Sequence, residues 1–147
     1  MIIGIDIGWT IKGIRIENNK NKTAPNSFDT IKSWVERGDT IYLISKANST
    51  QKEKVETWLS ETNFFEFTGV NAQNLYFCHE RRDKKFFVEG LGVQIMIDDR
   101  AEVLANINLS VIKFLLNPEL HEYEKFKKDL FNVRMVTDWY QIENAMR

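Results

Sequence analysis

The stretch Ile2-Ile3-Gly4-Ile5-Asp6-Ile7-Gly8-Trp9-Thr10 decides the fold. A short apolar run that stops at a carboxylate reads as a buried strand delivering Asp6 into a tight polar turn. A second run, Val93-Gln94-Ile95-Met96-Ile97, ends the same way, in Asp98 and Asp99. If the two strands are neighbours, three carboxylates meet at one edge of a sheet. Unpaired carboxylates that close repel one another, and a divalent cation such as Mg²⁺ relieves the repulsion. The pattern points to a metal site on Asp6, Asp98 and Asp99.

Outward from these two runs, short apolar segments alternate with amphipathic ones. Strands are expected at Ile2–Ile7, Thr40–Ser45, Leu75–Cys78, Val93–Ile97 and Ser110–Leu115, with a weaker one at Val133–Thr137. Between them, Ser27 is placed to cap a helix through Ile31, Trp34 and Val35 that stops near Gly38. Thr50–Glu61, Asp83–Gly90 and the shorter Glu102–Asn106 follow as helices, and Asp138 caps a last one through Ile142 and Met146. The polar stretch from Glu17 to Asn26 reads as a mobile loop beside Asp6. Strand–helix–strand repetition implies an α/β fold, a mainly parallel sheet with helices on both faces. Sites in such sheets form at the carboxyl ends of the strands, where Asp6, Ser45, Cys78/His79 and Asp98/Asp99 all lie.

Composition fits this picture and narrows the function. The chain has 147 residues, 43% hydrophobic and 28% charged, which suits a single globular domain over residues 1–147. No apolar run approaches the roughly 20 residues that span a bilayer. The N-terminal run is short, lacks a basic leader and contains Asp6, so it does not read as a signal peptide. The net charge of −1 gives no global attraction to nucleic acid, although a local basic loop remains compatible with it. One cysteine, Cys78, excludes an internal disulfide and suits a reducing, cytoplasmic setting. No Cys/His spacing suggests zinc. Trp34, Trp58, Phe86 and Phe87 sit at helical spacing and read as core. Trp9, next to the metal turn, reads as a substrate platform or partner contact.

Taken in order, the strand ends resemble the haloacid dehalogenase-like (HAD) superfamily. Its first motif, Asp-x-Asp-x-Thr/Val, is matched by Asp6-Ile7-Gly8-Trp9-Thr10, and its second, a strand ending in Ser or Thr, by Ile41-Tyr42-Leu43-Ile44-Ser45. The third, a lysine opening a helix that runs into Leu-Gly-Val, is matched by Asp83-Lys84 and Leu91-Gly92-Val93. The fourth, a strand ending in an acidic pair, is matched by Ile95-Met96-Ile97-Asp98-Asp99. The four motifs lie within residues 1–107, and the tail reads as a further strand and helix. The chain looks most like small members of the superfamily that read Asp-Ile-Gly in the first motif.

The resemblance implies a three-layer, Rossmann-like α/β/α domain and a Mg²⁺-dependent phosphohydrolase. Asp6 would be the nucleophile forming an aspartyl-phosphate, and Lys84 a fixed positive charge beside it. Ser45 and Lys46 would bind the phosphoryl group. Asp6, the Gly8 carbonyl, Asp98 and Asp99 would hold the metal. In HAD phosphatases the second Asp of the first motif is the general acid and base, and here that position is Gly8. The expectation is low turnover of ordinary alkyl phosphates, with Glu17, His79 or water as stand-in. The alternatives are a phosphate- or protein-binding module, or a ribonuclease-H-like metal-dependent nuclease. The motif spacing leaves no room for a cap domain. An open site suits a macromolecular phosphate, such as a nucleic-acid end or phosphoprotein, or a site roofed by a partner or a second copy. Lys20, Lys22 and Lys46 are candidates to meet its phosphates.

Overall fold

Alternating side chains along the strands build two hydrophobic cores, one on each face of a sheet. The computed structural model describes residues 1–147. Its strands are β1 (Ile2–Ile5), β2 (Lys12–Ile14), β3 (Asn19–Thr23), β4 (Thr40–Lys46), β5 (Leu75–Cys78), β6 (Ile95–Asp98), β7 (Ile112–Leu116) and β8 (Val133–Val136). The α-helices are α1 (Ser27–Glu36), α2 (Ser49–Glu61), α3 (Phe64–Thr68), α4 (Lys84–Gly90), α5 (Ala101–Ala105), α6 (Leu120–Phe126) and α7 (Trp139–Ala145). Six strands form one sheet in the order β5-β4-β1-β6-β7-β8, every pairing parallel. Ile3, Ile5, Ile41, Leu43, Ile95 and Ile97 face the larger core with Trp34, Phe64 and Trp139. Ile44, Met96 and Leu115 face the other, with Val88 and Leu104. The strand period of two thus sorts one apolar run into two layers.

Gly4 is required by this packing. A Cβ there would lie 2.9 Å from the Met96 sulfur, 3.2 Å from Val93 and 3.4 Å from Ile44, where β1 packs between β6 and β4.

All six expected strands form, with ends shifted by one or two residues. β1 stops at Ile5, but the Asp6 N–H still donates to the Ile97 carbonyl at 2.9 Å. Three helical expectations need correction. Ser27 is the first residue of α1 rather than its cap, its hydroxyl donating to the Ala24 carbonyl at 2.6 Å. α6 has no forerunner in the sequence reading. Its short polar pattern, Leu120-His121-Glu122-Tyr123, buries nothing fully, so hydrophobic period could not reveal it. Phe64, Phe65 and Phe67, on which the sequence reading placed no helix, lie on the short α3; Phe64 meets Phe28 edge-on at 5.0 Å. Phe86 is exposed, not core.

The largest correction falls on the polar stretch after Asp6. Rather than an irregular loop, much of it is an antiparallel β2–β3 hairpin. Its residues are mostly exposed, so its formation rests on backbone pairing and local turns. Asn18 takes the left-handed conformation at φ 51°, and the Asn19 side chain accepts from Asn21 and Lys22 N–H. The hairpin is tied to α2 by a hydrogen bond from Trp58 Nε1 to the Asn21 carbonyl at 2.8 Å. α2 itself starts with a capping box between Asn48 and Gln51.

The C-terminal tail reaches back to the motif turn. Trp139 packs on Trp34 and donates its indole N–H to the Thr10 carbonyl at 2.9 Å, a buried bond. Trp139→Phe keeps most of the ring but orphans that carbonyl. We expect a loss of about 1–3 kcal/mol in urea unfolding, with the unfolding slope unchanged. An unchanged midpoint would show that the tail does not support the turn.

Candidate active site

Sheet register sets the first pair of carboxylates. Ile5 lies opposite Ile97, so Asp6 and Asp98 emerge side by side from adjacent central strands. Both follow the parity of Gly4 and Met96, and therefore leave the sheet toward the α4 side. α4 supplies the counter-charge by helix spacing. Lys84 stands four residues before the buried Val88, so it shares the face that packs on the sheet. Lys84 is 2% exposed, and its Nζ donates to Asp6 Oδ1 at 2.7 Å and Asp98 Oδ2 at 2.8 Å. Its neighbour Lys85 has no such contact, which agrees with the register from Leu91-Gly92.

The other carboxylate oxygens are also held. Thr10 Oγ1 donates to Asp6 Oδ2 at 3.0 Å, and the Arg100 N–H to Asp98 Oδ1 at 3.0 Å. Asp99 pairs with Arg15. Arg15 comes from the short 3₁₀ turn between β2 and β3. It lies over the Trp9 ring at 5.2 Å and donates through Nε to the Asn117 carbonyl at 3.2 Å. Arg15 is the site residue that the motif reading missed. Arg15 sits in a polar segment whose fold was not legible, whereas Thr10 was already marked by its place in the first motif.

The turn that carries Gly8 is built around one carbonyl. Ile7 C=O accepts from the N–H groups of Thr10, Ile11 and Lys12 at 3.0–3.1 Å, and Trp9 adopts φ 58°. Gly8 does not need to be glycine for this shape. Its φ is not positive, and a Cβ would meet nothing within 4 Å. Its carbonyl accepts no hydrogen bond from the protein. The Ser45 hydroxyl, at the end of β4, likewise has no protein partner, although the residue is buried. Lys46 beside it forms no ion pair.

These groups share one open cleft of about 1100 Å³ between the β2–β3 hairpin and α2. Asp6, Gly8, Ser45, Lys46, Lys84 and Asp99 line it, while Asp98 lies just beneath. Basic side chains outnumber acidic ones two to one along its walls. No cap is inserted: only the hairpin and α1 separate Thr10 from β4, and only α2, α3 and β5 separate β4 from α4. The expected stand-ins for the missing acid are elsewhere. Glu17 pairs with Lys22 at 3.0 Å, and His79 is exposed; neither lines the cleft. Lys22 is thereby removed from the cleft, whereas Lys20 is in it.

Asp6, Asp98 and Asp99 offer carboxylate oxygens that lie within 4.8 Å of one another. Hard oxygen donors at that spacing fit an octahedral Mg²⁺, whose bonds are roughly 2.1 Å. The electrostatics argue the same way. Burial, then the Asp6 charge, pushes the Asp98 carboxyl up from 3.8 to about 6, against the opposing pull of Lys84. Burial and the two neighbouring carboxylates push Asp99 up as well. Lys84 is held charged: the two aspartates outweigh its burial and raise its pKa. A cation bound by these carboxylates would oppose both upward shifts.

Comparison with known proteins agrees on the fold. No family model matches the chain. A curated protein of Oceanobacillus iheyensis, described as "Putative nucleotidase OB0422", is 22% identical over 116 residues. The match covers 79% of this chain and 57% of that protein, so the chain spans little more than half the length of this curated relative. Among solved structures, the D,D-heptose 1,7-bisphosphate phosphatase of B. bronchiseptica, complexed with magnesium and phosphate, superposes with a TM-score of 0.66 at 9% identity. It covers 99% of this chain and 97% of that one. The HAD domain of the Legionella pneumophila effector Lem4 superposes with a TM-score of 0.51 at 11% identity, covering 99% and 92%. The fold resembles that of these solved structures: a Rossmann-like α/β/α domain with no cap inserted between its strands. No helix is long and apolar enough to cross a membrane.

The raised carboxylates fix a sign. Between pH 4 and 6 the folded protein binds more protons than the unfolded chain, because Asp98 titrates near 6 rather than 3.8. Its contribution to metal-free stability therefore falls as pH rises through that window. We expect Mg²⁺ to raise the melting temperature by on the order of 5 °C at a hundredfold excess over its Kd. At one fixed Mg²⁺ concentration the increment should be larger at pH 7.5 than at pH 5. A pH-independent increment, or one that survives Asp99→Asn undiminished, would count against binding at this cluster.

Proposed function

We propose that the chain is a Mg²⁺-dependent phosphohydrolase acting through Asp6, with an open site and slow proton transfer. One observation carries this reading. The Asp6 carboxylate is fixed by the buried Lys84 ammonium at 2.7 Å, on the floor of a cleft where the Ser45 hydroxyl and the Gly8 carbonyl have no protein partner. A structural aspartate would need no such unsatisfied neighbours.

In this reading the substrate phosphoryl group rests against Ser45 and Lys46, with Lys84 as fixed charge beside the nucleophile. An Asp6 oxygen attacks phosphorus, the phosphorus–ester oxygen bond breaks, and an aspartyl-phosphate forms. The leaving oxygen takes its proton from water, since no side chain at position 8 can supply one. Water then attacks the phosphorus and the Asp6 carboxylate is released. Asp6, the Gly8 carbonyl, Asp98 and Asp99 would hold Mg²⁺, which would neutralise phosphate charge and align the reacting oxygens. The open cleft admits a phosphate carried on a large molecule, or a site roofed by a partner or a second copy. The free, buried Cys78 supports a reducing, cytoplasmic setting.

The empty acid/base position favours a second reading, a phosphate-binding module that turns over little or nothing. The nuclease reading loses its support, because Ser45 rather than a carboxylate stands on the strand beside Asp6, and Lys84 occupies the space between Asp6 and Asp98. Hydrolysis of p-nitrophenyl phosphate and hexyl phosphate separates the remaining two. We expect the aryl ester, which needs no acid, to react far faster than the alkyl ester, and Asp6→Asn to abolish both. Open space around the Gly8 Cβ direction means that Gly8→Asp fits without strain. It should raise the alkyl rate by roughly 10²-fold or more. No activity in any of the three proteins would leave the binding role.

A further inference from the structure

The cleft extends well beyond the reacting end. α2 presents Thr50, Lys54, Trp58 and Glu61 to it, one face over eleven residues of rise, or about 17 Å of groove. Three lysines converge in it away from the aspartates: Lys12 on β2, Lys20 on β3 and Lys54 on α2. None has a carboxylate partner within ion-pair distance, although Glu53 and Glu61 line the same groove. Lys12 Nζ donates only to the Lys20 carbonyl, at 3.1 Å, which leaves two of its protons free. Burial, then the charges of Lys20 and Lys54, lowers the Lys12 pKa, so each of these two lysines disfavours the charge on Lys12. Elsewhere on this nearly neutral chain, three surface lysines find acids: Lys22 with Glu17, Lys32 with Glu36, Lys127 with Glu124. Like charges gathered from three separate elements, in a groove and without counter-ions, suit an anion that arrives with the substrate.

We propose that Lys12, Lys20 and Lys54 form a subsite for a second phosphate on the substrate, so that the cleft takes molecules carrying two or more phosphates. This rests on the reading that the first phosphate sits at Asp6. The hairpin supplies two of the three lysines, and its tether to Trp58 fixes their distance from α2. The hairpin is then one wall of the specificity groove.

Non-hydrolysable phosphonates test the subsite without turnover. Calorimetric titration of the full chain in Mg²⁺ should show hexane-1,6-bisphosphonate binding at least about tenfold tighter than hexylphosphonate, the value of one further charged hydrogen bond. In Lys12→Gln/Lys54→Gln the ratio should fall to one or two, with hexylphosphonate affinity changed by less than twofold. Lys54→Gln alone, on an exposed helix face, should remove part of the advantage without touching the hairpin. Lys85→Gln, outside the groove, should leave it intact. A wild-type ratio near one, or a ratio that survives the double variant, overturns the proposal. Octathymidylate, which has only backbone phosphates, identifies the source: displacement of the bisphosphonate assigns a nucleic-acid chain, and failure assigns a small bisphosphorylated molecule. A protein inactive toward aryl phosphates that keeps the tenfold ratio would refute the catalytic reading and retain the subsite.

Discussion

A buried ammonium between two buried carboxylates organises this molecule. Removing a lysine and an aspartate from water costs several kcal/mol each, and mutual attraction offsets that only with short, well-aligned hydrogen bonds. Lys84 meets the condition with bonds of 2.7 and 2.8 Å to Asp6 and Asp98. The arrangement is over-determined by the fold. Central-strand register sets Asp6 beside Asp98, and the buried face of α4 sets Lys84 beneath them. A third acid, Asp99, adds more negative charge than Lys84 can balance, so Arg15 is drawn in from the β2–β3 connection. The negative charge that remains unbalanced would suit the cluster to a cation.

Support for this cluster comes from distant parts of the chain. Trp139 holds the Thr10 carbonyl, and Thr10 holds Asp6. Glu122 on α6 accepts from the N–H groups of Ala101 and Glu102 at 2.9 and 2.7 Å, capping α5 in place of a cap of its own. That anchors the segment directly after Asp98-Asp99. The tail beyond residue 107 therefore does more than extend the sheet, because it fixes both ends of the acidic constellation.

Much of this was legible in the sequence because it rests on strong local signals. Buried parallel strands read as apolar runs, and an ionisable residue that closes such a run has few structural reasons to be there. Asp6, Ser45 and Asp98 stood out for that reason, and Lys84 was distinguished from Lys85 by its spacing to Leu91-Gly92. The β2–β3 hairpin was not legible. Its strands are exposed, so they carry no hydrophobic period, and their lysines and asparagines resemble those of any solvated loop. Arg15, Lys12 and Lys54 were missed with it. Their meaning is tertiary: they acquire it only when the hairpin and α2 face one another across the cleft. Phe86 erred the opposite way, since helical spacing alone does not say which of two adjacent phenylalanines turns inward.

Under the proposed function, the same geometry would let binding and weak catalysis coexist on one site. Lysines that hold a distant phosphate interact with substrate and transition state alike, so they tighten binding without lowering the barrier. Only groups that respond to charge developing at the reacting phosphorus and leaving oxygen do that. The floor of the cleft provides the first of these, through Asp6 and Lys84. Gly8 withholds the second, although the backbone there has room for a side chain. An esterified phosphate with a poor leaving group would then be held longer than it is cleaved, whereas one with a stable leaving anion would pass through. Enzyme and binding module are in this sense two regimes of one architecture, separated by the pKa of the group that departs.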